Sequence, residues 1–209
     1  MTIWFASGNF HKREELAAIL EGHRIRIPPE EGIDFAPEET GACFLENALI
    51  KARALYRQVL APVIADDSGL CVDALGGRPG IYSARYGSTV GPKVRRPKVR
   101  RQPLDDRERN ALLLRELEGH SQRSARFVCA MVLLLGEDRF FAAQETLEGE
   151  IVRESRGSGG FGYDPLLYLP GRGCTVAELS EEEKNRISHR GKAGRVIREI
   201  LSALWRDFF

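Results

Sequence analysis

No stretch of this sequence is apolar for long enough to cross a bilayer as a helix. The longest apolar run, around Val128 to Leu135, falls far short of the roughly 20 residues required. The amino terminus, Met1-Thr2-Ile3-Trp4, lacks the charged region and apolar core of a secretion signal, so the expectation is a cytoplasmic protein with no membrane partner. An excess of charge of one sign is missing too. The net charge of +1 gives no global reason to expect a nucleic acid or a membrane surface as partner. Cysteine is scarce: Cys43, Cys71, Cys129 and Cys174 are widely spaced and form no Cys-x-x-Cys pair. That argues against a zinc site and, without a secretion signal, for free thiols. No internal repeat is visible.

The chain does have an ordinary globular balance, 43% hydrophobic and 29% charged over 209 residues. This excludes disorder and collagen-like repeats, and the length suits one domain or two tightly joined lobes. Ile3 to Ala6 reads as a short buried strand that ends at Ser7-Gly8-Asn9. A helix follows from about Lys12 to Leu20, with Leu16, Ile19 and Leu20 on its apolar stripe, and Gly22 stops it. A second strand is expected over Arg24 to Ile27. Thr40 reads as the N-cap of a long helix reaching Leu60, on which Phe44, Ala48, Ala52, Leu55 and Val59 keep near-helical spacing. Pro62 to Ala65 then reads as a buried strand ending in Asp66-Asp67-Ser68-Gly69.

A helix is expected over Leu104 to Leu117, and two long strands over Ala125 to Leu135 and Arg139 to Leu147. Ser180 with Glu183 three residues on is a capping-box signature for a helical region that carries Lys184, breaks near Gly191 and continues to Trp205. Helices alternating with apolar strands predict an α/β sheet covered on both faces. The segment 87–103 interrupts the pattern. It holds Lys93, Arg95, Arg96, Lys98, Arg100 and Arg101, three prolines and almost no apolar residues, and it reads as a flexible, solvated surface loop.

Four clusters carry possible chemistry. Ser7-Gly8-Asn9-Phe10-His11-Lys12 joins a strand to a helix, where backbone N–H groups, the helix dipole and a lysine favour phosphate; an exposed turn is the competing reading. Its spacing is not that of the Walker sequence. Asp66 and Asp67, at the carboxyl end of a strand, suit Mg²⁺ or acceptance of a proton from water, or else simply form a turn. Glu38 and Glu39 could complete a metal site or face solvent near a helix start. Gly159-Gly160-Phe161-Gly162-Tyr163-Asp164 leaves the Phe161 ring uncrowded enough to stack on a base, or places Phe161 and Tyr163 in the core. Lys184, Ser188, His189 and Arg190 share neighbouring positions on one helical stretch, as donors for a purine oxo group or as a solvated charged face.

In order and wording these clusters match one family. The chain closely resembles the inosine triphosphate pyrophosphatases, which remove deaminated purine nucleotides. The matching text is Ser7-Gly8-Asn9 with Lys12; Glu38-Glu39-Thr40-Gly41 with Phe44 and Glu46-Asn47-Ala48; Ala65 to Leu70; Ala74 to Tyr86; Gly159 to Pro165; and Ser188-His189-Arg190-Gly191. The resemblance runs from Ile3 to about Leu204.

It implies a single catalytic domain over 1–209 with a mixed central sheet flanked by helices, two lobes with a nucleotide-binding cleft between them, and a homodimer. It also implies hydrolysis of ITP, dITP or XTP to the monophosphate and pyrophosphate. Under it, Ser7, Gly8, Asn9 and Lys12 bind the triphosphate, and Asp67 accepts the proton from water. Glu38 and Asp67 hold Mg²⁺, with Mn²⁺ as the alternative. Ser68 touches substrate, and Phe161, Gly162, Tyr163, Asp164, Lys184, His189 and Arg190 form the base pocket. The basic segment after Tyr86 departs from the family, which has a short connection there. Two rivals remain: a Maf-like pyrophosphatase acting on pyrimidine nucleotides, and a nucleotide- or RNA-binding module without catalysis.

Overall fold

The computed structural model describes residues 1–88 and 104–206. The basic segment therefore lies almost wholly outside the described residues. The strands are β1 (Thr2–Phe5), β2 (Arg24–Arg26), β3 (Val63–Val72), β4 (Ser124–Gly136), β5 (Arg139–Ile151), β6 (Leu167–Leu169) and β7 (Cys174–Thr175). The helices are α1 (Phe10–Ile19), α2 (Phe44–Val59), α3 (Asp106–Glu116), α4 (Glu181–Ile187) and α5 (His189–Arg206). The strands form one seven-stranded mixed sheet in the order β2-β1-β3-β4-β5-β6-β7. β1 runs parallel to β2 and β3, and β6 antiparallel to β5 and β7.

The chain divides into two compact units. The first contains Met1–Ser68, Phe127–Leu147 and the chain from Glu182 onward; the second contains Gly69–Arg126 and Glu148–Glu181. Within the first unit the sheet is covered on both faces, as the apolar strands predicted. Ile3, Phe5, Ile64, Cys129, Met131 and Leu133 pack on one face against Leu16, Ile19 and Leu20 of α1 and Ala193, Ile197 and Leu201 of α5. Val63, Ala65, Val132 and Leu134 pack on the other against Ala48, Ala52 and Leu55 of α2. The period of two in a strand sends successive residues to opposite faces, so a strand buried on both sides reads as a continuous apolar run. Each fully buried leucine or isoleucine here contributes about 1.5–3 kcal/mol relative to exposure.

Several boundaries differ from the sequence reading. The long helix begins at Phe44 with Cys43 in the N-cap position, because Gly41 to Cys43 is held by side chains of α2 itself. Asn47 Oδ1 accepts from Gly41 N at 2.9 Å and Glu46 Oε2 from Ala42 N at 2.6 Å. The acidic segment Asp66-Asp67-Ser68-Gly69 is not a turn but the middle of β3. The carboxyl-terminal helical region breaks at Ser188 rather than at Gly191. Ser188 Oγ accepts from Gly191 N at 2.9 Å and so caps α5. Gly191 fits this corner because it has no side chain: a Cβ there would lie 1.8 Å from the carbonyl oxygen of Asn185. All four cysteines are free thiols, and no helix among the described residues is long and apolar enough to cross a membrane.

Candidate active site

The first unit gathers most of the suspected chemistry around β3. Because Asp66 and Asp67 are consecutive in a strand, they point to opposite faces of the sheet. Asp66 faces α1 and α5. Lys12 Nζ lies 3.1 Å from its Oδ1 and 3.0 Å from its Oδ2. Arg190 Nε and Nη2 donate to Oδ2 at 3.2 and 3.0 Å, and Nη2 also donates to Ser68 Oγ at 2.9 Å. Ser68 Oγ in turn donates to Asp66 Oδ2 at 3.2 Å. Burial would push the Asp66 carboxyl up, but Lys12, Arg190 and Lys51 outweigh it and hold the group well below the usual carboxylate range.

Asp67 faces α2. Asn47 Nδ2 donates to its Oδ2 at 3.1 Å, and Lys51 Nζ lies 3.4 Å from its Oδ1 and 3.0 Å from Glu39 Oε1. Burial raises the Asp67 carboxyl above the ordinary carboxylate value, Lys51 and Asn47 oppose this, and the charges of Glu39 and Asp66 reinforce it. The two neighbouring acids are thus displaced in opposite directions, one firmly ionised and the other a better proton acceptor. Lys51 itself is raised: burial lowers it, but Asp66, Asp67 and Glu39 together prevail.

Ser7 and Asn9 build the entry to α1. Ser7 Oγ accepts from Asn9 N at 3.1 Å, and Asn9 Oδ1 caps the helix by accepting from Lys12 N at 3.1 Å. This capping sets the first turn from which Lys12 reaches Asp66. Gly8 between them is exposed.

Lys184, His189 and Arg190 come from two helices, not the single stretch expected, and Glu15 of α1 joins them. Glu15 Oε1 lies 2.8 Å from Lys184 Nζ, and Oε2 accepts from Arg190 Nη1. Burial alone would raise Glu15, but Arg190 and Lys184 hold it below its ordinary value. The His189 ring stacks on Phe127 with centroids 4.9 Å apart, and its Nδ1 is buried without a hydrogen-bond partner among the described residues. Burial, then the charges of Arg190 and Lys184, keep this imidazole neutral, well below its ordinary value of 6.5.

The second unit holds the glycine-rich loop. Phe161 N donates to Asp164 Oδ2 at 2.9 Å, and Asp164 N to the Phe161 carbonyl at 3.3 Å. Asp164 therefore closes the loop on itself. Gly160, at a φ of +70°, lies so close that a Cβ would meet Asp164 Oδ2 at 2.1 Å. Tyr163 is buried and donates its hydroxyl to the Ser83 carbonyl at 3.0 Å; burial raises its pKa. Phe161 remains half-buried, so of the two aromatic residues it is Tyr163 that packs inside.

Lys12, Asp66, Ser68, Lys184 and Arg190 are thus one linked cluster in the first unit, with His189 beside Arg190 and Asp67 on the opposite face of β3. Phe161 to Asp164 belong to the second unit. Glu38 is exposed on the segment leading to α2, and among the described residues no group of three or more His, Cys, Asp or Glu side chains converges as a metal cage. Sequence reasoning gave no role to Glu15, Asn47, Lys51 or Phe127. The signal for Asn47 was present: it is a polar residue inside the apolar stripe formed by Phe44, Ala48 and Leu55, and Lys51 follows it one turn later.

Residues 3–200 match the Ham1 family. A dITP/XTP pyrophosphatase of Treponema denticola is 53% identical over 193 residues, covering 92% of this chain and 94% of that protein. A solved Ham1 protein from Coxiella burnetii is 38% identical with a TM-score of 0.84, over 97% of this chain and 99% of its own. That of the Staphylococcus aureus Ham1 protein gives 36% and 0.83, with the same coverage. The agreement of sequence and fold over almost the whole chain leads to one conclusion: this chain belongs to the Ham1 family.

Proposed function

We propose that the chain is a nucleoside triphosphate pyrophosphatase that cleaves ITP, dITP and XTP to the monophosphate and pyrophosphate, as a single catalytic domain acting in a homodimer. The observation that carries this reading is the division of labour along β3. Asp66 is locked to Lys12 and Arg190, while its neighbour Asp67 keeps a carboxylate suited to accepting a proton. Phosphoanhydride hydrolysis needs a positioned water and charge neutralisation more than covalent catalysis.

In this mechanism Asp67 takes a proton from water as the water oxygen bonds to phosphorus at the α–β bridge. The bridging P–O bond breaks and pyrophosphate leaves. Lys12, pre-positioned by Asp66 and by the Asn9 cap, lies beside Ser7, Gly8 and Asn9 to offset the triphosphate charge. Ser68 contacts substrate from the same strand. Asp67 and Glu38 would hold a divalent cation, Mg²⁺ or Mn²⁺. The fit is chemical: Asp67 is a buried oxygen donor whose charge is only partly balanced by Lys51, and Mg²⁺ binds through one or two carboxylates with phosphate oxygens completing its shell. When bound, the ion supplies charge neutralisation on the phosphates.

Base recognition falls to Phe161, Gly162, Tyr163 and Asp164, with Lys184, His189 and Arg190. The neutral His189 ring offers one donor and one acceptor. A donor aimed at a purine 6-oxo group is left unpaired by the 6-amino group of adenine, and such sites discriminate by roughly 10⁴–10⁵. Glu15 and Asp66 take up much of the donor capacity of Lys184 and Arg190, which fixes both side chains within the first unit. The test is pyrophosphate release from ITP, XTP, GTP and ATP with Mg²⁺ and with EDTA. Metal-dependent release from ITP and XTP, with ATP and GTP poor, is the expected result. Equal rates on all four would remove the base-reading roles, and no release from any would replace the enzyme with a binding module.

A further inference from the structure

The loop that carries Phe161 is gripped from outside by a helix to which nothing above gives a role. Gly162 N donates to Asp106 Oδ2 at 2.8 Å, and Asn110 Nδ2 donates to the Gly162 carbonyl at 3.0 Å. Both side chains come from α3, one turn apart on the same face. Residue 162 therefore has its N–H and its C=O held by one helix, an arrangement that removes rotation of the backbone on either side of it. α3 is itself firmly started. Asp105 and Glu108 form a reciprocal capping box, and Arg109 pairs with the other Asp106 oxygen.

Asn110 is 6% exposed; its Oδ1 is buried without a hydrogen-bond partner among the described residues, and its Nδ2 is directed to this loop, so losing that bond would leave the whole amide unsatisfied. On the side where a side chain of residue 162 would point there is open space: a Cβ would meet nothing within 4 Å. Gly162 is thus fastened at its peptide groups and open on its side-chain side.

We propose that Asp106 and Asn110 are positioning residues for base selectivity, clamping the Gly162 peptide so that the Phe161 ring and the Asp164-closed turn are already in their binding geometry. This rests on the reading of Phe161 to Asp164 as base-binding. The gain is pre-organisation: a loop already ordered loses less freedom when the base stacks. The helix touches no reacting atom, so its effect belongs in the affinity for the base and not in the chemical step.

Asn110→Asp is nearly isosteric and turns the donor facing the Gly162 carbonyl into an acceptor. Asp106→Ala removes the acceptor for Gly162 N, whereas Asp106→Asn retains one. Kinetics on ITP and ATP, thermal unfolding and a parallel Phe161→Ala variant complete the experiment. Loss of one such hydrogen bond should raise KM for ITP roughly threefold to tenfold with kcat little changed. The preference for ITP over ATP should narrow by the same factor, and Asp106→Asn should behave like the unsubstituted protein. If Phe161→Ala erodes the preference while Asp106→Ala and Asn110→Asp keep it, the clamp is wrong and the loop reading stands. Parallel losses on ITP and ATP with lowered unfolding temperature would make α3 merely structural and overturn the proposal. If Phe161→Ala leaves the preference intact, the loop reading fails and the clamp fails with it. Should Asn110→Asp not fold, the Asp106→Ala and Asp106→Asn pair decides alone.

Discussion

Arg190 and Asp66 are 124 residues apart in sequence, yet Nη2 of one lies 3.0 Å from Oδ2 of the other, with side-chain exposures of 2% and 1%. Two charges this deep must compensate each other, because neither can recover its hydration while the fold persists. The pair also ties the start of α5 to the middle of β3, which brings Lys12, Ser68 and Glu15 to one place.

Asp66→Asn should therefore be strongly destabilising. Removing one partner of a buried pair typically costs about 3–5 kcal/mol, since the surviving charge is left without a counterion. Here Lys12 and Arg190 would both be affected. Urea unfolding of Asp66→Asn, Arg190→Gln and the double variant measures this. The double variant should lose less than the sum of the single losses, because residues in one network couple. Strict additivity would mean that the pair is not an energetic unit.

The adjacent residue should behave in the opposite way. Burial raises the Asp67 carboxyl, so its ionised form is disfavoured in the folded state relative to the unfolded chain. Asp67→Asn should cost little stability or even add some, and it keeps the amide-sized side chain against Asn47 and Lys51. Turnover should fall by about 10²–10⁴, the usual contribution of a general base. Nucleotide binding by calorimetry should survive. A stable variant that keeps its pyrophosphate release would move the proton acceptor elsewhere.

What could be read in advance follows from how local each signal is. The two-faced sheet was legible because Val63 to Ala65 and Val128 to Leu135 are apolar runs too continuous for a half-exposed strand. The family was legible as wording: Ser7 to Lys12, Asp66 to Gly69, Gly159 to Asp164 and Ser188 to Gly191 all lie within residues 3–200, which match the Ham1 family. Their internal geometry was not. Asp-Asp-Ser-Gly has the composition of a turn, and only pairing within the sheet keeps it extended. The break at Ser188 follows from a cap and a close backbone approach that no periodicity reveals. Glu15 sits among charged residues of an exposed-looking helix start, and its burial depends on Lys184 and Arg190, which are distant in the chain.

Gly191 offers a stringent test of that corner. A methyl group there would press on the Asn185 carbonyl oxygen at 1.8 Å and on its carbon at 2.9 Å, both backbone atoms that cannot rotate away. Gly191→Ala should cost about 3 kcal/mol or more and should weaken nucleotide binding by shifting His189 and Arg190. Gly171 is the control, since a Cβ there meets nothing within 4 Å. Gly171→Ala should stay within about 0.5 kcal/mol of the unsubstituted protein. Equal behaviour of the two variants in urea unfolding would mean that the α4–α5 junction yields easily.

The stacked His189 ring gives the protein a pH dependence with a definite sign. Burial, then Arg190 and Lys184, depress the imidazole below 6.5; Asp66 opposes them and Lys12 adds to them. Above about pH 6.5 the ring is neutral in both folded and unfolded chains and contributes no slope. Below that value the unfolded chain takes up a proton that the folded chain refuses, so stability falls with pH, by up to about 1.4 kcal/mol per unit. Glu15 and Asp66 are depressed carboxylates, and their contribution is lost only as the pH drops below their unfolded values of 4.5 and 3.8. Below 6.5 the loss therefore comes from His189 and from His23, whose burial beside the amino terminus lowers it as well. Asp67, raised by burial, takes up its proton first in the folded chain and opposes that loss. Urea unfolding at pH 7.5 and 5.5 should show a marked loss in the unsubstituted protein, a smaller one in His189→Gln, and an intermediate one in His23→Gln. Were His189→Gln to keep the full loss, the imidazole would have to be charged in the folded state, and its service as a neutral donor to a purine oxo group would be untenable.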